Sequence, residues 1–422
     1  MLFAPLACLL IASALRSRHC WTDLARVFSL HWTPVIILAL FAYTLAGAII
    51  MPRLFAGQTT VFIPSGGRIV ETLLMPVWGN INQSGYFAAG ALSYFSLSTI
   101  LMRDKSFHSV KVAFFTFATL HAGLGLIDFA GKMLGLGDLL SPIRTAGYAM
   151  LVEVQSEGFW RIVGGFPEAS AFGAASLLAI GFTFSYWRAT SSRPAFLLSV
   201  LLLFLLLSST STTAYVGLAI LSLMLVLSFF FRMIAGRFTS HDLIVLAGGI
   251  IALTILVGLE TFNENALRPF VRVLESATVE KTASASAEER FYWNQKSWQN
   301  LLDTGGLGIG LGSSRASSWF FAVASQLGVV GLGLVGILLV QLLRPAYRGT
   351  DAPHDVELAA FCNIMRTTGI AAVLPTVISG GAADPGIVLF IVLATLLVGR
   401  AELADRHGAA RQLGYEPAST NS

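Results

Sequence analysis

A chain of 422 residues that is 55% hydrophobic and only 12% charged, with mean hydropathy +0.73, falls outside the soluble classes, since soluble domains carry about a quarter charged residues. Its net charge of +4 is spread over many loops, which excludes the concentrated patch that nucleic acid requires. Cys8, Cys20 and Cys362 and the scattered histidines match no metal-ligand spacing and set up no disulfide framework, so neither a metal nor a cofactor is expected. The composition is that of an all-α polytopic membrane protein.

Met1–Leu15 reads as a short first span. It lacks a basic n-region and an Ala-x-Ala site, so it is expected to be a retained span, or a start placed slightly late, and not a signal peptide. Arg16, Arg18 and Arg26 follow, then a second span at Thr33–Ile50. Residues 51–83 form a loop with enough prolines and glycines, among them Pro52, Pro64, Gly66, Gly67 and Pro76, to rule out one continuous helix. Spans are expected at Ser84–Met102 and Val110–Asp128, then a long amphipathic loop over 129–167 with Lys132, Arg144, Glu153, Glu157 and Arg161. Glu168–Trp187 spans again, and Pro194–Ser209 and Thr212–Phe231 form an antiparallel hairpin across the short turn Thr210-Ser211. Leu243–Leu259 precedes the longest polar loop, 260–317; Ser318–Val340, Leu358–Ile378 and Gly386–Gly399 complete about eleven spans in a single polytopic domain, with a polar tail over 400–422.

Positive charge sets the orientation. Arg16–Arg26, Arg103–Lys111, Arg188–Arg193, Arg232–Arg237, Arg344–Arg348 and the tail share one side, which the positive-inside rule makes cytoplasmic. The long loops 51–83, 129–167 and 260–317 then lie on the external face, away from ATP and nucleotide-sugars. Chemistry there needs a donor already activated and carried by the membrane.

The stretch Ser284–Ser318 is polar between two apolar runs. Ser286-x-x-Glu289 fits a capping box, and a helix over Ala287–Leu302 puts Arg290, Trp293, Ser297 and Leu301 near one face. Gly305-Gly306 ends that helix. The glycine-rich turn Leu307–Gly312 has no following lysine and does not fit a P-loop.

Arginines stand out in a chain this poor in charge, because a guanidinium is always charged and its fork of donors suits phosphate oxygens. Arg161, Arg290, Arg315 and Arg366 are the candidates. Arg290, next to Phe291, Tyr292, Trp293 and close to Trp298, fits an amphipathic surface helix equally well; Arg161 and Arg315 also fit span-end snorkelling. Arg366, inside a span, has Glu168, Asp128 or Asp384 as possible ion-pair partners. Ser208–Thr213 fits a turn better than a sugar site. Glu168 and Asp303 are possible proton acceptors or helix-end groups.

Two elements resemble the O-antigen ligase and polymerase superfamily. One is Glu289-Arg290-Phe-Tyr-Trp293, then Trp298, Gly305–Gly312, Arg315 and Gln326-Leu-Gly328; the other is Trp160-Arg161 through Gly164-Gly-Phe-Pro-Glu168-Ala-Ser to Gly173. The Glu-Ala-Ser form is the exopolysaccharide polymerase variant. Ligases of the superfamily carry His-Asn where Ser317-Ser318 stands here, which favours polymerase over ligase. The resemblance implies a metal-independent, GT-C-like membrane glycosyltransferase in a bacterial inner membrane, with its active face periplasmic. It would join undecaprenyl-diphosphate-linked oligosaccharide repeats into O-antigen or exopolysaccharide. It further implies lipid-linked oligosaccharide and membrane lipid as partners, with a chain-length regulator and export proteins. The expected roles are Arg161 and Arg290 at the diphosphate, Glu168 as base, and Arg315, Trp293, Trp298 and Arg366 in substrate binding. A ligase, a lipid-linked glycan flippase and a secretion-complex scaffold are the alternatives.

Overall fold

The computed structural model describes residues 3–65, 68–144, 155–156, 159–234, 236, 239–262, 285–345 and 353–412. Glu153, Glu157, Gly66, Gly67, Arg237, Arg348, residues 263–284 of the longest loop and 413–422 of the tail lie outside them. Among the described residues, eight helices are long and apolar enough to cross a membrane. Three apolar helices, Pro5–Leu15, Arg193–Ser208 and Ser240–Ile251, are shorter. The all-α polytopic expectation therefore stands at this level.

The chain divides into two compact units, Met1–Phe114 with Arg290–Ser422, and Phe115–Glu289. In the first, α1 (Phe3–Leu15), α2 (Cys20–Leu30), α3 (Thr33–Leu54) and α13 (Ile387–Gln412) all pack on α4 (Trp78–Asp104). Beside them, α11 (Trp319–Leu343) packs on α3 and on α12 (Pro353–Ser379). In the second, α6 (Ala169–Thr190) packs on the hairpin of α7 (Arg193–Ser208) and α8 (Thr212–Ile234). The second unit also holds α9 (Ser240–Phe262) and most of α5 (Phe107–Met133).

Three local departures from expectation have physical causes. The Arg16–Arg26 segment is not all loop: Cys20–Leu30 is an amphipathic helix that buries Asp23 and Val27 and leaves Trp21 exposed. Its eleven residues are too short and too polar for a span, so hydropathy alone passes over it. The 51–83 loop contains a hairpin, β1 (Thr60–Ser65) with β2 (Arg68–Leu73), in register Thr60↔Leu73 to Ser65↔Arg68. Its Val61 and Leu74 form a small core with Ile309. The polar-stretch helix, α10, runs Ala285–Asp303, so Ser286 lies inside it and is not its cap.

The glycine-rich turn and α11 are one construction. Gly328 interrupts α11 at φ 64°, ψ −165°, a backbone that favours glycine. A Cβ there would sit 2.3 Å from the Gly306 carbonyl oxygen. The break frees Ser325 and Gln326 carbonyls from the helical ladder. Ile309 and Gly310 N–H groups donate to them at 2.8 and 3.0 Å, while Val329 N–H donates to the Gly306 carbonyl at 2.9 Å. Backbone groups at a helix break in a membrane protein must be satisfied by protein, and the turn does this.

Candidate functional site

The fold gathers one end of the first unit into an open groove of about 1420 Å³. Its walls are the last turns of α3, the edge of β1, the first turns of α4, residues 312–315 and the Gly381-Ala382 turn after α12. Each wall is fixed locally. Arg315 N–H donates to the Phe62 carbonyl at 2.9 Å, and Phe62 N–H donates to Ser314 Oγ at 3.0 Å, so this segment lies along the free edge of β1. Ala316 N–H donates to the Gly381 carbonyl at 3.1 Å, and Trp319 Nε1 to that of Ala383 at 3.0 Å. Asn80 caps α4 by accepting from Val77 N–H at 2.8 Å, and its amide donates to Leu311 O (2.7 Å) and Ser313 Oγ (2.8 Å). Gln326 accepts from Gly312 N–H at 2.7 Å and donates to Ser314 O at 2.8 Å.

Two exposed arginines, Arg53 and Arg315, line this groove. Arg53 donates to the Ile49 carbonyl at 2.5 Å on its own helix. The Arg315 side chain lies over Gly381, where a Cβ would come within 3.0 Å of Nε. Neither has a carboxylate partner among the described residues, and no carboxylate lines the groove. The remaining lining mixes amides and hydroxyls (Asn80, Asn82, Gln83, Ser84) with the exposed rings of Trp78 and Tyr86. Ile49 and Ile81, 62% exposed each, bring exposed apolar surface to its edge. The arrangement can hold an anionic group, polar hydroxyls and an apolar chain at once.

The expected site residues are only partly brought together. Arg315 is in the groove. Arg290 is exposed at the start of α10, outside the groove lining. Trp293 is half-buried, its ring 5.8 Å from that of Phe62, so it anchors α10 to the hairpin. Trp298 is 44% exposed and does not line the groove. Asp303 accepts from Thr59 Oγ1 at 2.7 Å and Gln299 Nε2 at 2.7 Å. The Asn300 amide nitrogen faces Thr59 Oγ1 and the Thr60 carbonyl, both at 2.9 Å. Glu71 accepts from Thr60 (2.6 Å) and Tyr292 (2.9 Å) and pairs with Lys296 (3.3 Å). The Thr60 hydrogen bond leads in holding its carboxyl below the ordinary range. These polar contacts clamp α10 to the hairpin.

Arg366 lies far from the groove within the same unit. It is thirteen residues along α12 from Ser379, about 20 Å at helical rise. None of the three acids considered for it is its partner among the described residues. Asp384 sits beyond the groove end of α12 and accepts from Gly386 N–H at 3.2 Å, with desolvation raising its carboxyl to about 6. Asp128 is committed to Lys132 and Arg144, and Glu168 accepts from Ser170 Oγ at 2.5 Å.

The second unit organises Arg161 differently. Asp128 on α5 is 4% exposed. It pairs with Lys132 at 2.9 Å and Arg144 at 3.0 Å and accepts from Val163 and Gly164 N–H at 2.8 and 3.1 Å. Lys132 donates to the Arg161 carbonyl at 2.7 Å, and Arg144, also paired with Asp138, to that of Gly164 at 2.5 Å. This buried network fixes the backbone of residues 161–164. Arg161 itself is half-buried; among the described residues its side chain donates to the Thr210 carbonyl at 3.4 Å and its Nε has no partner. Burial lowers its pKa, opposed by the charges of Glu168 and Tyr215. Glu168 stands exposed at the N-cap position of α6.

Sequence reading passed over Arg53 and the Asn80–Gln83 wall because the 51–83 loop looked like breakers and nothing more. The one available signal was an arginine directly after the proline that ends an apolar run. Against models of known protein families the chain has no match, and no curated protein matches it.

Proposed function

We propose that this protein is a membrane glycosyltransferase that polymerises lipid-diphosphate-linked oligosaccharide repeats. The observation carrying the reading is the groove: two guanidiniums without carboxylate partners among the described residues, an amide-rich wall, exposed aromatic rings and an apolar edge, all at one end of membrane-type helices. A polyprenyl diphosphate sugar has the matching three parts. In the reaction an acceptor hydroxyl attacks the anomeric carbon, the bond from that carbon to the phosphate oxygen breaks, and the diphosphate leaves with the electron pair. Negative charge grows on the leaving group, and fixed guanidiniums stabilise it most in the transition state. Arg315 and Arg53 serve the diphosphate in this scheme, and Trp78 and Tyr86 offer faces for sugar stacking. The exposed Arg290 remains a candidate for a further phosphate contact; the roles of Arg161, whose Nε has no partner among the described residues, and of Glu168 as base belong to the second unit and rest on the resemblance alone.

The broken helix α11 is a feature that a lipid-linked glycan flippase also predicts. Its freed carbonyls are consumed by the glycine-rich turn, which favours the enzyme. The test is the size distribution of lipid-linked glycan in cells lacking the protein and in cells carrying Arg315→Ala. Single repeats accumulating on the carrier at the external face support the polymerase. Long polymer stranded on the carrier means a ligase, and repeats held at the cytoplasmic face mean a flippase.

A further inference from the structure

At the end of the first unit opposite the groove, α11 closes with Gln341 and Arg344, flanked by α12 and α13. Gly369 of α12 packs so closely there that a Cβ would meet Leu342 Cδ1 at 2.6 Å and Val392 Cγ1 at 2.8 Å. Arg366, one turn away on the same face of α12, is thereby set level with the end of α11. Arg400 of α13 donates to the carbonyls of Gln341 at 2.9 Å and Arg344 at 2.6 Å. It stands near enough to Arg366 for the two guanidiniums to repel. Arg344 brings a third guanidinium, 3.4 Å from Gln341 Oε1. His31 lies within their field: burial first, then Arg344 and Arg400, lowers its pKa.

Closing a helix C-terminus accounts for two N–H groups of Arg400, since terminal carbonyls attract cations. It leaves three buried N–H donors without an acceptor among the described residues: Gln341 Nε2, Arg366 Nε and Arg400 Nε. Gln341 is only 4% exposed. Buried unpaired donors and mutually repelling cations are both costly. One multi-oxygen anion relieves both, and the guanidinium fork matches phosphate.

We propose that Gln341, Arg344, Arg366 and Arg400 form an anion site for a phosphate group, carried on a phospholipid head or free in solution. The site is separate from the groove and independent of what the groove binds. It is tested by titrating the purified full-length protein in neutral detergent with short-chain phosphatidylglycerol, short-chain phosphatidylcholine and inorganic phosphate. The expected result is binding of phosphatidylglycerol, inorganic phosphate or both over phosphatidylcholine. Binding should weaken about tenfold or more in Arg366→Gln, fall with salt, and stay unchanged in Arg315→Gln. Phosphatidylglycerol alone identifies a lipid head; inorganic phosphate alone identifies a soluble ligand. Arg344→Gln, at an exposed position, gives the same reading should the Arg366 variant fail to fold. No binding of either probe, or an affinity in the Arg344 and Arg366 variants unchanged from that of the native protein, overturns the proposal.

Discussion

Arg144 and Arg315 are the same residue type put to opposite uses. Arg144 is buried and paired with Asp128 and Asp138. Arg315 is exposed in an open groove with no carboxylate partner among the described residues. A buried charge must be compensated within the protein, so it serves the fold. A charge held on a rigid frame but left uncompensated is available to a ligand. The frame differs as well: the network around Asp128 fixes a loop backbone, whereas Arg315 is fixed by its own N–H on β1 and by that of the next residue, Ala316, on the Gly381 turn.

The largest effect expected is on the paired side. Asp128→Asn strips the charge partner from Lys132 and Arg144 and weakens the acceptor for two buried N–H groups. It should cost about 3–5 kcal/mol, read as a lowered unfolding midpoint in detergent; an unchanged midpoint would erase the contrast. On the unpaired side, Arg315→Ala should slow the proposed polymerisation about 10²–10³-fold with little shift in the same unfolding transition. Asn80→Ala comes next. It orphans the Leu311 carbonyl and the Val77 N–H, and should destabilise by about 1–3 kcal/mol while loosening the groove wall.

The smallest effect is a pH dependence from Glu71. Its folded pKa is depressed, so its contribution is present above the ordinary carboxylate range and is lost as pH falls through and below that range. Because it is partly exposed, no more than about 1 kcal/mol is at stake. Glu71→Gln should flatten that acid limb of the stability profile, and a limb that persists would assign it to other groups.

The membrane class and most helices were legible because hydropathy is a sum over many residues and survives local errors. Even the short turn between α7 and α8 was readable: the two residues Thr210-Ser211 leave no room for anything but a hairpin, and the structure adds only Ser209 to them. The hairpin β1–β2 was passed over although its signal is local, Gly66-Gly67 between the runs Thr60–Ser65 and Arg68–Leu73; only its docking on Ile309 and Ser314, about 250 residues away, is beyond any local pattern. The glycine-rich turn was seen, but its purpose depends on Gly328, whose broken helix needs those N–H groups. Arg315 was found by charge in an apolar context. Arg53 was missed because the same argument was not applied to a loop dismissed for its prolines. Arg366 was assigned to substrate because a charge inside a span marks a functional residue, an argument that says nothing of which end of the bundle the charge faces.

The most direct test of the distinction between paired and available charge is the affinity of a polyprenyl diphosphate for the purified protein and for the Arg53→Ala/Arg315→Ala double variant. Loss of two charge-assisted contacts should weaken binding by about a hundredfold or more, with the unfolding midpoint preserved. Equal affinity in the native protein and the double variant would contradict the assignment of the groove to the diphosphate.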